Sequence, residues 1–269
     1  MRVATWNVNS LKARLPRVEE FLGYADVDVL CLQETKLADA AFPAMAFQAL
    51  GYESAHFGQG QWNGVAVLSR VGLSDIQNGF DEATRGAASD DEYVRGVLAE
   101  ARNVTATCNG VEITSVYVPN GRSLDDPHLG AKLVWLDELR KQYARRSSAN
   151  IPSIICGDFN IAPDDRDVWD PTKFTNSTHV TPAERARLSE LEGAGFVDLF
   201  RQLYPQDRLY SYWDYRAGDF HMHRGMRIDL VYGTAAVAAG TRWAIVDRNA
   251  RKGKLPSDHA PVIVDFDIA

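Results

Sequence analysis

The chain has 269 residues, of which 45% are hydrophobic and 24% charged. That length suits one large α/β or sandwich domain burying about three quarters of its unfolded surface, and the composition excludes a disordered or fibrous chain. The net charge of −7 argues against a uniformly basic nucleic-acid binder, and no apolar run approaches the ~18 residues that a membrane span needs.

In chain order, a strand is predicted over 2–8, a helix over 10–22, and strands over 27–32, 64–69, 94–101, 104–108 and 111–118. A helix over 128–146, a strand over 152–157, a helix over 182–193 and strands over 227–232, 242–247 and 261–267 complete the series. The strand segments are rich in Val, Ile, Leu and aromatics, as half-buried or fully buried strands are. Asn109-Gly110 between two of them is a strong two-residue hairpin signal. In the long helix Leu129, Leu133, Leu136, Leu139 and Tyr143 recur at helical spacing. Thr181 followed by Pro182 opens the last helix with an N-cap and a proline at its first position. Strands joined by tight turns, mixed with helices, favour a two-sheet α/β sandwich over a purely parallel sheet. The segment 78–93, acidic and rich in small residues, has no assignable role and is expected to be mobile.

Cys31, Cys108 and Cys156 are scattered, with no CxxC pair. They fit buried free thiols in a reducing compartment better than a disulfide framework or a zinc site. Residues 1–7 have no secretory leader pattern, so a cytoplasmic location without membrane contact is expected.

Polar residues gather at the ends of the apolar runs, in Thr5–Asn9, Leu32–Lys36, Tyr117–Gly121, Gly157–Asn160 and Ser257–Pro261, and Asp229 lies inside the apolar run at 227–232. Singly, each has a plainer explanation: Gly-Asp-x-Asn makes a turn, Asn7 caps a helix, and Asp258-His259 forms a structural pair. Together, Glu34, Asp158, Asp229 and Asp258 offer hard oxygen ligands of the kind Mg²⁺ or Mn²⁺ prefers. Asn7, Asn120 and Asn160 add neutral amides, and Tyr117 and His259 add groups able to donate to developing charge. This is an inventory for metal-assisted phosphate ester hydrolysis. The acidic balance does not exclude DNA, because metal-holding carboxylates add negative charge that the ion reverses locally. One basic face would suffice, drawn from Lys12/Arg14/Arg17, Arg122, Arg216, Arg224/Arg227 and Arg248/Arg251/Lys252/Lys254.

In this order and spacing, the six segments resemble the endonuclease/exonuclease/phosphatase superfamily, and within it the exodeoxyribonuclease III branch of abasic-site endonucleases. The resemblance implies one catalytic domain over 1–269, a DNase I-like four-layer α/β sandwich of two packed mixed β-sheets flanked by helices. It implies a monomeric, Mg²⁺-dependent DNA-repair phosphodiesterase, with Mn²⁺ as the alternative metal. The substrate would be duplex DNA with abasic sites or blocked 3′ ends, cut 5′ to the abasic site in base excision repair. 3′→5′ exonuclease and 3′-phosphatase activities would accompany incision. On this reading Glu34, Asn7 and Asp258 surround the metal, although Asn9 stands where some relatives carry an Asp. Asp158 takes the proton from water held by Asn160, Asp229 orients a cationic His259, and Tyr117 and Asn120 contact the phosphate or the leaving oxygen. Arg122, Arg216 and Arg227 would bind DNA phosphates, and Tyr212, Trp213, Met226 and Ile228 would wall the abasic pocket, which excludes a normal nucleotide. Sphingomyelinases and inositol-polyphosphate phosphatases share the machinery, but the lipid-facing surface or polyphosphate cluster they need is not found. A non-catalytic module of the same fold is the third reading.

Overall fold

The computed structural model describes residues 1–148 and 151–267. The first half runs β1 (Arg2–Asn7), α1 (Leu11–Ala25), β2 (Val29–Gln33), α2 (Ala44–Ala49), β3 (Glu53–Phe57), β4 (Val65–Ser69), β5 (Ser74–Asn78), α3 (Glu82–Ala88), α4 (Glu92–Leu98), β6 (Asn103–Cys108) and β7 (Val111–Tyr117). The second runs α5 (Pro127–Ser148), β8 (Ser153–Asp158), α6 (Pro182–Gly193), β9 (Phe196–Asp198), α7 (Leu199–Leu203), β10 (Asp229–Thr234), α8 (Ala235–Gly240), β11 (Thr241–Val246) and β12 (Val262–Phe266).

The strands form two six-stranded mixed sheets, ordered β11-β12-β1-β2-β4-β3 and β5-β6-β7-β8-β10-β9. Parallel pairs lie at their centres, β1 with β2 and β7 with β8. Side-chain alternation explains the layering. In β2, Val29 and Cys31 face the core between the sheets, while Leu30 and Leu32 face a second core with Phe21 and Leu22 of α1 and Phe47 of α2. In β8, Ile154 and Cys156 face the inter-sheet core, whereas Ile155 packs with Trp135 and Leu139 of α5 and Leu188 of α6. Strands buried on both faces read as unbroken apolar runs, which is why they were legible in the sequence. The result is the expected helix–sheet–sheet–helix sandwich. All three cysteines are buried and free.

Asn109 and Gly110 both take positive φ, 47° and 79°, as a type I′ hairpin requires. Thr181 accepts from the Glu184 amide and Glu184 returns the bond, a capping box with Pro182 in the first turn. One expectation is corrected. The strand predicted over 94–101 is largely α4: Asp91 caps it, and Val94, Val97 and Leu98 turn one face onto α5 and its neighbours. β-branched residues at helical spacing mimic a strand. Much of 78–93 lies in α3, α4 and their caps. The strands β3, β5 and β9, absent from the sequence reading, are all at sheet edges, and in the first two Glu53, His56, Ser74, Asp75 and Gln77 break up the apolar residues Ala55, Phe57 and Ile76.

Candidate active site

The site forms where β1, β2, β7 and β8 end and β10 begins. Register aligns its first row: Tyr117 of β7 and Asp229 of β10 both lie opposite Asp158, the last residue of β8. Neighbours in register point to the same face, so three polar side chains emerge side by side. Gly157 makes this approach possible. Its φ is 152°, and a Cβ there would meet the Val116 carbonyl oxygen at 1.9 Å. From the other sheet, Asn7 ends β1 and Glu34 follows β2. Glu34, Asn9, Lys36 and Asn160 all have φ between 42° and 52°. Non-glycine residues seldom adopt this left-handed region, and its concentration here marks a backbone held in place by its surroundings.

The Asn7 side-chain amide donates to Glu34 Oε1 at 2.8 Å and to Asp158 Oδ2 at 2.9 Å, joining the two sheets. Asp158 Oδ1 accepts from the Asn160 backbone amide at 2.9 Å. His259 Nδ1 lies 2.8 Å from Asp229 Oδ2, and its Nε2 lies 3.8 Å from Asp158 Oδ2. The second Asp229 oxygen is buried without a hydrogen-bond partner. Asp258 accepts from Asn9 Nδ2 at 3.2 Å. Lys36 Nζ sits 2.8 Å from Glu34 Oε2 and 2.6 Å from Asn9 Oδ1.

Burial, with Asp229 and Glu34 nearby, lifts the Asp158 carboxyl to about 7 against the opposing pull of His259. Burial alone would discharge His259, but Asp229 and Asp158 outweigh it and raise the imidazole to about 10. Partial burial would raise the Glu34 carboxyl, yet Lys36 and Asn7 hold it below the usual range. Burial and the Glu34 charge push the Tyr117 phenol well up. At neutral pH the site therefore pairs a cationic imidazole with a carboxylate poised to exchange a proton, the arrangement that general acid–base chemistry needs.

A cavity of about 200 Å³ is lined by Glu34, Tyr117, Asn120, Asp158, Asn160, His179, Tyr212, Met226, Ile228, Asp258 and His259. Most of the residues expected at the site thus line one pocket, and Asn7 and Asp229 support it from behind. Two expectations come out differently. Trp213 is fully buried in the inter-sheet core and is not among the residues lining this pocket. Arg227, expected on the DNA surface, is 1% exposed and pairs with Asp167 at 2.7 Å and Asp198 at 2.8 Å. Its guanidinium is satisfied internally and cannot reach a phosphate. Arg122 and Arg216 remain exposed, the first 3.8 Å from Asp126 and the second held by Asp214 at 2.6 Å.

The sequence reading missed His179, whose Nε2 lies 3.2 Å from both Asn120 Nδ2 and Asn160 Oδ1. Burial and nearby Lys132 lower its imidazole to about 4, so it is a neutral group at the pocket wall. Lys132 of α5 is fully buried, donates to the Asn160 carbonyl at 2.8 Å, and pairs with Glu184 at 2.5 Å. Glu184 in turn accepts from the His179 amide at 3.0 Å. One ion pair therefore ties the loops carrying Asn160 and His179 to two helices. The capping box was the sole sequence signal for Glu184, and nothing local marked His179.

The donor set suits a hard divalent cation. Glu34, with Asn7 and Asp258 beside it, presents oxygens, and the Lys36 ammonium shows that Glu34 already attracts positive charge. Among the described residues no group of three or more acidic, His or Cys side chains forms a ready-made cage. Mg²⁺ does not require one, since it uses one or two carboxylates and completes its shell with water and substrate phosphate.

Comparison with known proteins agrees with this geometry. Residues 4–259 match the endonuclease/exonuclease/phosphatase family, whose enzymes are generally dependent on a divalent metal. The chain is 30% identical to Exodeoxyribonuclease III of Haemophilus influenzae over 99% of its own length and 100% of that protein. It is also 30% identical to Recombination repair protein 1 of Drosophila melanogaster, of which it spans 37%. Among solved structures, the 3′ phosphatase NExo from Neisseria, bound to a product DNA hairpin, superposes with a TM-score of 0.92 at 37% identity, covering 99% of both chains. An AP endonuclease from Archaeoglobus fulgidus gives 0.91 at 31% identity over the whole of both chains. The chain belongs to the endonuclease/exonuclease/phosphatase family, in its exodeoxyribonuclease III branch, and is a hydrolytic DNA-repair nuclease.

Proposed function

We propose that the pocket hydrolyses phosphodiesters of duplex DNA on the 5′ side of abasic sites and at blocked 3′ ends, leaving a 3′-hydroxyl. One observation carries this reading: Asp229, His259 and Asp158 stand in sequence at 2.8 and 3.8 Å, with Asn7 joining Asp158 to Glu34. Asp229 holds Nδ1–H of His259, so the charged imidazole presents Nε2–H to a phosphate oxygen and stabilises the charge that builds in the transition state. Asp158 accepts the proton of the attacking water, and Asn160, fixed by its own bond to the Val118 carbonyl at 2.9 Å, positions that water or the phosphate. Tyr117 and Asn120 face the phosphate or the leaving 3′ oxygen. Glu34, with Asn7 and Asp258, would hold Mg²⁺, or Mn²⁺ in its place; when bound, the ion neutralises phosphate charge and assists the leaving oxygen. Tyr212, Met226 and Ile228 enclose a sugar without its base. Among the described residues no helix is long and apolar enough to cross a membrane, and the protein is read as a cytoplasmic monomer formed by one catalytic domain over 1–269.

A duplex carrying one abasic analogue, set against sphingomyelin and a phosphoinositide, tests the substrate class. Cleavage of the lipids with the duplex left intact would overturn the reading. Excess EDTA is expected to abolish incision and added Mg²⁺ to restore it, whereas full turnover in chelator would exclude metal assistance.

The ionisation pattern gives a pH profile. Turnover needs Asp158 deprotonated and His259 protonated, so kcat/KM is expected to rise as pH approaches about 7 and to fall as it passes about 10. A cation at Glu34 moves the acid limb lower still, because it favours the Asp158 carboxylate. A kcat/KM that declines steadily between pH 6 and 8 would contradict these roles.

A further inference from the structure

Beside the catalytic pocket lies a second cavity, of about 180 Å³, that shares Tyr212 and Met226 with it. Its character differs. Trp169 and Phe174 supply half-buried aromatic surfaces, and the Arg224 guanidinium lies 5.4 Å from the Trp169 ring centroid. None of these three residues has a part in the chemistry described above. The slot is held by backbone: the Trp169 amide donates to the Gly225 carbonyl at 3.0 Å, and Val168 bridges Met226. Gly225 is packed so closely that a Cβ would meet the Tyr212 carbonyl oxygen at 2.6 Å. Arg224 and Met226 are therefore fixed on either side of it.

We propose that this slot receives a nucleobase, that of the 3′-terminal nucleotide removed by the exonuclease reaction. The inference rests on reading the first pocket as the phosphodiester site. A nucleotide whose 5′ phosphate lies at His259 places its sugar against Tyr212, Met226 and Ile228, and the shared wall puts the adjoining slot within reach of its base. Flat aromatic and guanidinium surfaces accept any base through its π-face, without regard to sequence. The carboxylates of Asp214 and Asp219 line the same slot. Asp214 is paired with Arg216 at 2.6 Å and Asp219 lies 4.0 Å from Arg224, and their remaining lone pairs can accept hydrogen bonds from the exocyclic amino groups of a base. A baseless sugar would use the first pocket alone, and a base-bearing terminus would use both.

The test compares two duplexes, one ending 3′ in a normal nucleotide and the other in a tetrahydrofuran residue that has no base. Trp169→Ala is expected to raise KM about 10-fold on the first, ~1.4 kcal/mol at 25 °C, while KM on the second stays at the wild-type value. Trp169→Phe, which keeps an aromatic face, should recover most of the loss. Equal effects on both substrates, or none on either, would overturn the proposal. A binding measurement in EDTA, independent of turnover, uses an unpaired 3′-terminal 2-aminopurine on the duplex. Wild-type protein should quench its fluorescence and Trp169→Ala should not; equal quenching by both overturns the slot even if cleavage behaves as expected. Should the wild-type protein cleave neither duplex, the phosphodiester reading of the first pocket fails, and the quenching result still decides the slot.

Discussion

Asp158→Asn is expected to lower kcat on an abasic-analogue duplex by about 10³-fold, within the 10²–10⁴ range by which a positioned general base accelerates a reaction. The variant should fold as the wild type does. Asparagine is isosteric, and burial already raises the native carboxyl to about 7, so the neutral side chain is close to one that the fold tolerates. Asn7 Nδ2 and the Asn160 amide donate to the two Asp158 oxygens at 2.9 Å each. One of these bonds is kept and the other must turn, a local change beside the loss of a proton acceptor. Burst or single-turnover kinetics with a melting curve would separate the two effects. Wild-type turnover in this variant would remove Asp158 from the chemistry, and attention would move to Glu34 or Asp229.

Arg227→Ala is expected to cost about 3–5 kcal/mol of stability, as removal of one partner from a buried ion pair does. The guanidinium donates to Asp167 at 2.7 and 3.3 Å and to Asp198 at 2.8 Å. Burial alone would weaken its charge, but the Asp198 and Asp167 carboxylates outweigh it and raise its pKa. Truncation leaves Asp198 buried without this cation and Asp167 with Arg201 as its remaining basic partner, at 2.5 Å. Chemical denaturation is the direct measurement. The contrary outcome is specific: full stability with weakened DNA binding would mean that Arg227 serves the phosphate backbone after all. Because Arg227 immediately precedes Ile228 and Asp229, a loosened fold here also disturbs the pocket. Low activity alone would not distinguish the two roles.

The local chemistry was written in the chain. Apolar runs buried on both faces identified β1, β2, β4, β7, β8 and β10, and the polar residues at their ends marked Asn7, Glu34, Tyr117, Asp158 and His259 as a set. The Asn109-Gly110 hairpin and the Thr181 cap were equally legible, because short-range backbone requirements select those residue types. Strands at or near an edge, such as β3 and β5, bury one face at most, so their composition carried little signal. The α4 segment showed the opposite error, with valines that suit either element.

What composition and spacing could not supply is which side of an element a residue faces once it is packed. Tyr212 and Trp213 are adjacent, yet one lines the catalytic pocket and the other is sealed between the sheets. Arg227 and Arg216 are both arginines expected to bind DNA phosphates, yet one is locked inside by Asp167 and Asp198 while the other lies in solvent. His179 comes to Asn160 through the buried Lys132–Glu184 pair, partners 52 residues apart in sequence. The sequence alone determined the central strands, their polar ends and the reaction class, because local pattern encodes burial and donor chemistry. The tertiary structure decided which cations are free to meet DNA and which side chains shape the pocket, because register and long-range pairing between distant segments, rather than residue type, determine where a side chain points.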